Sequence, residues 1–167
     1  MAGRENAVTW LNEMKVPGAI IGEVSDWREG NRGADSKPYI DAMKRAQIVV
    51  TANPGNWEGD FRFWEAIASK ALIISDYFFM PVPDFFEDGV DVVFYDPLNK
   101  EDFINKVTYY LDHPEEARRI AINGYFKALK YHRYVNRVDY VFNTVAQLLD
   151  GSYQVRRDEG HLHCSVW

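Results

Sequence analysis

Four short apolar runs limit the folds open to this chain: "GAIIGEV" (18–24), "QIVVT" (47–51), "ALIIS" (71–75) and "DVVFY" (91–95). Each is dense in Ile and Val, and none alternates apolar with polar residues. A strand that faces water on one side alternates. A run that is apolar throughout fits a strand covered on both faces, as in a parallel sheet flanked by helices.

Helical patterns fill the intervals. Residues 6–15 place Val8, Leu11 and Met14 at spacings of three. Pro38 to Ala46 gives a second helix, with proline at its start, and residues 59–70 a third. In "NKEDFINKVTYYLD" (99–112), Phe103, Ile104, Val107, Tyr110 and Leu111 share a face behind Asn99 as N-cap. "HPEEARRIAINGYFKALKYH" opens with Pro114 and two glutamates suited to the positive end of a helix. Residues 135–149 put Val138, Val141, Phe142, Val145 and Leu148 on one stripe. Strand and helix in alternation predict an α/β fold with a doubly wound parallel sheet. Extra helices follow it. The expected domain is 1–150, with 151–167 a flexible polar tail.

A chain of 167 residues, 47% hydrophobic, holds one core of ordinary domain size. Its net charge of −6 argues against binding a nucleic-acid backbone, which needs a basic surface. Cys164 is the sole cysteine, so no disulfide forms within one chain. No window approaches the roughly 20 apolar residues of a membrane span. The N-terminal stretch lacks a signal-peptide core. A soluble, cytoplasmic protein is the expectation.

In open α/β sheets, ligands sit at the carboxyl ends of strands. That rule selects Ser25–Asp26, Ala52–Asn53, Ser75–Asp76 and Tyr95–Asp96. The second place is the richest. "TANPGNWEGDFRFWEA" (51–66) leaves a strand through the turn Asn53-Pro54-Gly55 and enters a helix near Gly59 and Asp60. A helix N-terminus offers free N–H groups and partial positive charge, which suit a phosphate or a sugar hydroxyl. Gly55 and Gly59 would let backbone approach a ligand. Arg62 and Glu65 share a helix face. An arginine forks onto phosphate oxygens, and a carboxylate accepts ribose hydroxyls. The spacing equally describes an intrahelical ion pair on a solvated face.

Three ordered blocks carry a resemblance. They are "RFWEAIASKALIISD" (62–76), "FFEDGVDVVFYD" (85–96) and "FINKVTYYLDHPEEARRIAING" (103–124), with His132 and Arg137 following. Over roughly residues 40 to 145 the chain is similar to the C-terminal half of group 1 glycosyltransferases, nearest to the spore-maturation-type (CgeB-like) branch. The resemblance implies half of a GT-B enzyme, a Rossmann-like domain that binds a nucleotide diphosphate sugar. It places Glu65 at the ribose, Arg62 near the diphosphate, and Asn56–Asp60 facing the donor sugar. The donor-binding candidates are therefore Asn53, Trp57, Glu58, Gly59, Asp60, Arg62, Glu65 and Asp76. No catalytic residue is assigned.

Two departures stand out. Many retaining members carry E-x7-E, and the first glutamate falls here at Trp57, with Glu58 one residue late. The usual glycine of the following turn is Lys70. The acceptor half of such an enzyme is also not found among these residues, which leaves three expectations: a fragment of a longer protein, an acceptor half on an acceptor-domain partner chain or homo-oligomer, or a protein that only binds. The alternative is a non-catalytic nucleotide-binding or assembly module that pairs with a partner chain.

Other features are open or quiet. The aromatic loop "YFFMPVPDFF" (77–86) walls a base pocket, binds a partner half, or simply packs. Arg118, Arg119, Lys127, Lys130 and Arg133 form a basic stripe or a solvated face. His161 and His163 lack a second ligand cluster, so no metal is expected. Arg62 and the helix tip neutralise the phosphates, so no cofactor is expected. P-loop, dinucleotide and nucleophile-elbow fingerprints are missing from the sequence.

Overall fold

The computed structural model describes residues 2–21, 37–53, 59–78 and 84–152. The elements run α1 (Ala2–Met14), α2 (Lys37–Arg45), β1 (Ile48–Thr51), α3 (Phe61–Ala68), β2 (Leu72–Asp76), β3 (Val93–Tyr95), α4 (Lys100–Asp112), α5 (Pro114–Lys127), a π-helical segment Ala128–His132, and α6 (Tyr134–Asp150). The chain divides into two compact units, 1–131 and 132–167.

Three strands form a parallel sheet in the order β1-β2-β3. Ile48 to Thr51 pair with Leu72 to Ser75, and Ile74 to Asp76 pair with Val93 to Tyr95. Every residue of β2 is buried. Side chains alternate between faces, so Leu72, Ile74, Val93 and Tyr95 enter one apolar cluster with α1, α4 and α5 residues such as Trp10, Phe103 and Ile120. Ile73 and Phe94 enter the other, with Phe63, Ala66 and Ile67 of α3 and, at its margin, Met43 of α2. This two-sided burial is why the strand runs do not alternate. The fold is α/β and Rossmann-like, with helices on both faces of a parallel sheet.

The run at 18–24 departs from expectation. Residues 18–21 are turn and irregular backbone, and residues 22–24 lie outside the described residues. Gly18 follows Pro17 with φ +75°, and Ile20 is 76% exposed. A Pro-Gly turn occupies the start of the run, and residues 18–21 form no strand.

Local chemistry sets the helix ends. Asn99 caps α4 by accepting from the Asp102 amide at 3.1 Å. Pro114 opens α5 ahead of Glu115 and Glu116. The turn after α3 needs Lys70 at φ +63°, the left-handed region. Glycine suits that position best. Lys70 occupies it with its ammonium 4.7 Å from the centroid of the Tyr125 ring. α5 seats closely on the turn before β3. A β-carbon at Gly124 would lie 2.3 Å from the Asp91 carbonyl oxygen, and Lys127 pairs with the Asp91 carboxylate at 2.5 Å. Lys127 therefore points inward and leaves the basic stripe.

The second unit is described by α6, ending at Gly151 in the left-handed conformation. Its stripe of Val138, Val141, Phe142, Val145 and Leu148 forms as predicted. No described helix is long and apolar enough to cross a membrane. Residues 153–167, with His161, His163 and Cys164, lie outside the described residues.

Candidate functional site

The carboxyl ends of β1 and β2 gather polar groups in an otherwise apolar sheet. Thr51, Asp60, Ser75 and Asp76 are all buried there. Two carboxylates organise them in different ways.

Asp60 is the N-cap of α3. Its Oδ1 accepts from the Phe63 amide at 2.9 Å and from Thr51 Oγ1 at 3.2 Å. Its Oδ2 accepts from Arg4 at 2.6 Å. The same guanidinium donates to the Ala52 carbonyl at 3.0 Å. Arg4 is only 29% exposed and Asp60 7%, so this charge pair is largely withdrawn from water and tightly bonded. Asp60 thus joins β1, α3 and α1, and both its oxygens are engaged within the fold.

Asp76 ends β2. Its Oδ1 accepts from the Asn53 amide at 2.9 Å and the Asn53 side chain at 2.8 Å, with Ser75 Oγ farther off at 3.4 Å. Burial pushes its pKa up to about 6, against the opposing pull of those Asn53 and Ser75 hydrogen bonds. Burial likewise raises Tyr95, beneath the site, whose hydroxyl lies 3.5 Å from the Thr51 carbonyl.

Arg62 and Glu65 lie further along α3, and they do not pair with each other. Tyr39 of α2 donates its hydroxyl to Glu65 Oε2 at 2.6 Å. Burial and that bond together raise the Tyr39 pKa. Arg62 is exposed and, among the described residues, makes no hydrogen bond or ion pair. A cation in the first turn of a helix, without a carboxylate partner, sits at the unfavourable end of the dipole. The intrahelical-pair alternative is therefore set aside.

Gly59 adopts φ +107°, and a β-carbon there would come within 3.1 Å of Phe78 and 3.3 Å of Trp64. Its missing side chain makes room for the protein's own aromatics. Phe78, Phe85 and Phe86 pack with Phe63 and Phe94 in the second core, and Tyr77 stacks on Phe94 at 5.0 Å. The described part of the aromatic loop is thus packed. Asp96 is used locally, its Oδ1 accepting from the Leu98 amide at 2.9 Å. Trp57, Glu58, Gly55, Asn56 and the Ser25–Asp26 pair lie outside the described residues.

The structure therefore brings together Asn53, Asp60 and Asp76. It places Arg62 and Glu65 on a neighbouring stretch of α3, with the Asp60 charge acting on both Tyr39 and Asp76. Sequence reasoning missed Arg4, Tyr39 and Thr51. Thr51 was one residue from the strand end that the carboxyl-edge rule selected. Arg4 had no local signal, because its partner lies 56 positions away. Among the described residues, no group of three or more His, Cys, Asp or Glu side chains is arranged to hold a metal.

A family model described as "Glycosyl transferase-like" matches residues 4–143. No curated protein and no solved structure matches the chain.

Proposed function

Because the chain belongs to the glycosyl transferase-like family, we propose that it is the donor-binding half of a group 1, GT-B-type glycosyltransferase of the spore-maturation-type branch. Its substrate is a nucleotide diphosphate sugar, bound where the strand ends of β1 and β2 meet α3. The sugar passes to an acceptor held by a second domain of the GT-B fold.

One observation carries this reading. Tyr39 fixes Oε2 of Glu65 and leaves Oε1 without a hydrogen bond, while Arg62 stands unpaired in the first turn of the same helix. An oriented carboxylate accepts the vicinal hydroxyls of a ribose. An unpaired guanidinium at the positive end of a helix takes the diphosphate, whose charge offsets the local repulsion. In the transfer step the same guanidinium and the helix tip stabilise the leaving nucleoside diphosphate as its charge develops.

Calorimetry with UDP, GDP and ADP tests the reading. Binding of one of the three is expected. Arg62→Ala should weaken it roughly tenfold or more, the equivalent of ~1.4 kcal/mol, and Glu65→Ala should abolish it without unfolding the domain. If all three fail to bind, the non-catalytic assembly reading takes its place.

A further inference from the structure

Arg62 and Glu65 stand three residues apart on α3, a spacing at which opposite charges on a helix normally meet. They do not meet here. Glu65 turns Oε2 to the Tyr39 hydroxyl of α2, which donates to it at 2.6 Å. That length is typical of a hydroxyl bonded to an ionised carboxylate, a contact about twice as strong as one between neutral groups. Burial and this bond raise the Tyr39 pKa, so the phenol stays protonated and keeps donating at neutral pH. The Arg62 charge reaches Tyr39 too, acting against that rise. Three side chains from two helices thus form one cluster.

A second tyrosine–glutamate bond in the molecule shows what a plain fastening looks like. Tyr109 of α4 donates to Glu116 Oε2 of α5 at 2.9 Å on an exposed surface. There the other oxygen, Oε1, pairs with Arg119, three residues along the helix, at 3.5 Å. Both oxygens of Glu116 are used, and its arginine is satisfied. At Glu65 the tyrosine bond is shorter and more withdrawn from water, yet Oε1 accepts nothing among the described residues. The arginine three residues away is left over as well. The α2–α3 contact therefore holds an acceptor and a cation side by side without letting them cancel. α2 buries no residue of its own, and Met43 reaches only the margin of the second core.

We infer that Tyr39 is a positioning residue of the donor site: it holds Glu65 off Arg62, aims Oε1 at one ribose hydroxyl, and so sets how sharply the site tells a ribonucleotide from its deoxy counterpart. The inference rests on the donor-half reading above, in which Glu65 takes the ribose and Arg62 the diphosphate. Tyr39 acts through Glu65 and needs no contact with the ligand. With the phenol hydroxyl removed, the carboxylate is free to rotate and close on Arg62. Each group then quenches the other. A held carboxylate discriminates because a site built around a hydroxyl leaves its own acceptor unpaired when that hydroxyl is missing. A carboxylate already paired with an arginine loses little.

The test compares UDP, GDP and ADP with their 2′-deoxy and 3′-deoxy forms by calorimetry, in the wild-type chain and in Tyr39→Phe. The substitution keeps the ring and removes only the donor, on a helix that buries no residue, so the fold should hold. The readout is the affinity ratio of ribonucleotide to deoxynucleotide. In the wild type, the nucleotide that binds should weaken roughly tenfold on losing one of the two hydroxyls. In Tyr39→Phe that ratio should shrink to about twofold. A tyrosine that merely fastened α2 would lower both affinities in parallel, or neither, and the ratio would survive. A surviving ratio overturns the inference and leaves the donor-half reading intact. So does a wild-type chain that binds a nucleotide and both of its deoxy forms equally well. A variant that no longer folds makes the hydroxyl a structural fastening and overturns the inference too. Failure of all three nucleotides to bind the wild-type chain overturns the donor-half reading, and the role of Tyr39 falls with it.

Discussion

Arg4 and Asp60, 56 positions apart in sequence, form a 2.6 Å ion pair at the carboxyl edge of the sheet. Through it, α1 is tied to the cap of α3 and to the end of β1, and the candidate site acquires a fixed rim. Removing the arginine leaves a buried carboxylate short of its charged partner. Arg4→Ala should cost about 2 kcal/mol, somewhat less than a fully buried pair because Arg4 remains partly hydrated. Urea denaturation checks this, and Arg4→Lys should recover part of the loss.

Asp60 has a second task that a neutral isostere performs. Asp60→Asn keeps an oxygen for the Phe63 amide and loses charge complementarity with Arg4. Asp60→Ala loses both. The alanine variant should be the less stable by about 1 kcal/mol, the usual worth of an N-cap. Equal stabilities for the two variants would remove the cap from the account.

The fold and the site were unequally legible in the sequence. β1, β2 and β3 announced themselves because both faces of each strand are apolar, and α4 because Asn99 and its stripe mark a start and a face. The run at 18–24 looked the same in composition. Pro17 and Gly18 turn the chain at its start, so residues 18–21 form no strand despite the propensity of Ile20; residues 22–24 lie outside the described residues. Within the site, Asp60 and Arg62 follow from the helix start. The partners that define their roles come from far along the chain. Arg4 decides that Asp60 is structural, and Tyr39 decides that Glu65 is held away from Arg62. Long-range pairings of this kind leave no periodicity to read.

Asp76 makes stability depend on pH. Its folded pKa of about 6 lies above the ordinary aspartate value of 3.8. The folded state therefore holds the extra proton between those values, and stability falls as pH rises through that window. The change should be about 2 kcal/mol, allowing for the partial solvent access of the site. Asp60, which carries a like charge, adds to the rise, and the hydrogen bonds from Asn53 and Ser75 oppose it. Denaturation midpoints measured across the window should slope downward in the wild type. In Asp76→Asn that part of the slope should vanish.

Gly124 is a packing position distant from the site chemistry. An added methyl group would meet the Asp91 carbonyl at 2.3 Å, a backbone atom held in place by the Lys127 pair. Gly124→Ala should therefore destabilise the chain by about 2 kcal/mol. A thermal melt no lower than that of the wild type would mean that the turn before β3 yields easily.

The central claim is that a nucleoside diphosphate settles at the start of α3, against the ends of β1 and β2. Amide resonances of ¹⁵N-labelled chain, followed as UDP, GDP or ADP is titrated in, test it most directly. The account predicts that one of the three shifts the amides of Phe61, Arg62 and Phe63 together with those of Asn53 and Asp76. The amides of α4 should stay in place. Shifts confined to α4 or α6, or none with any of the three nucleotides, would contradict it.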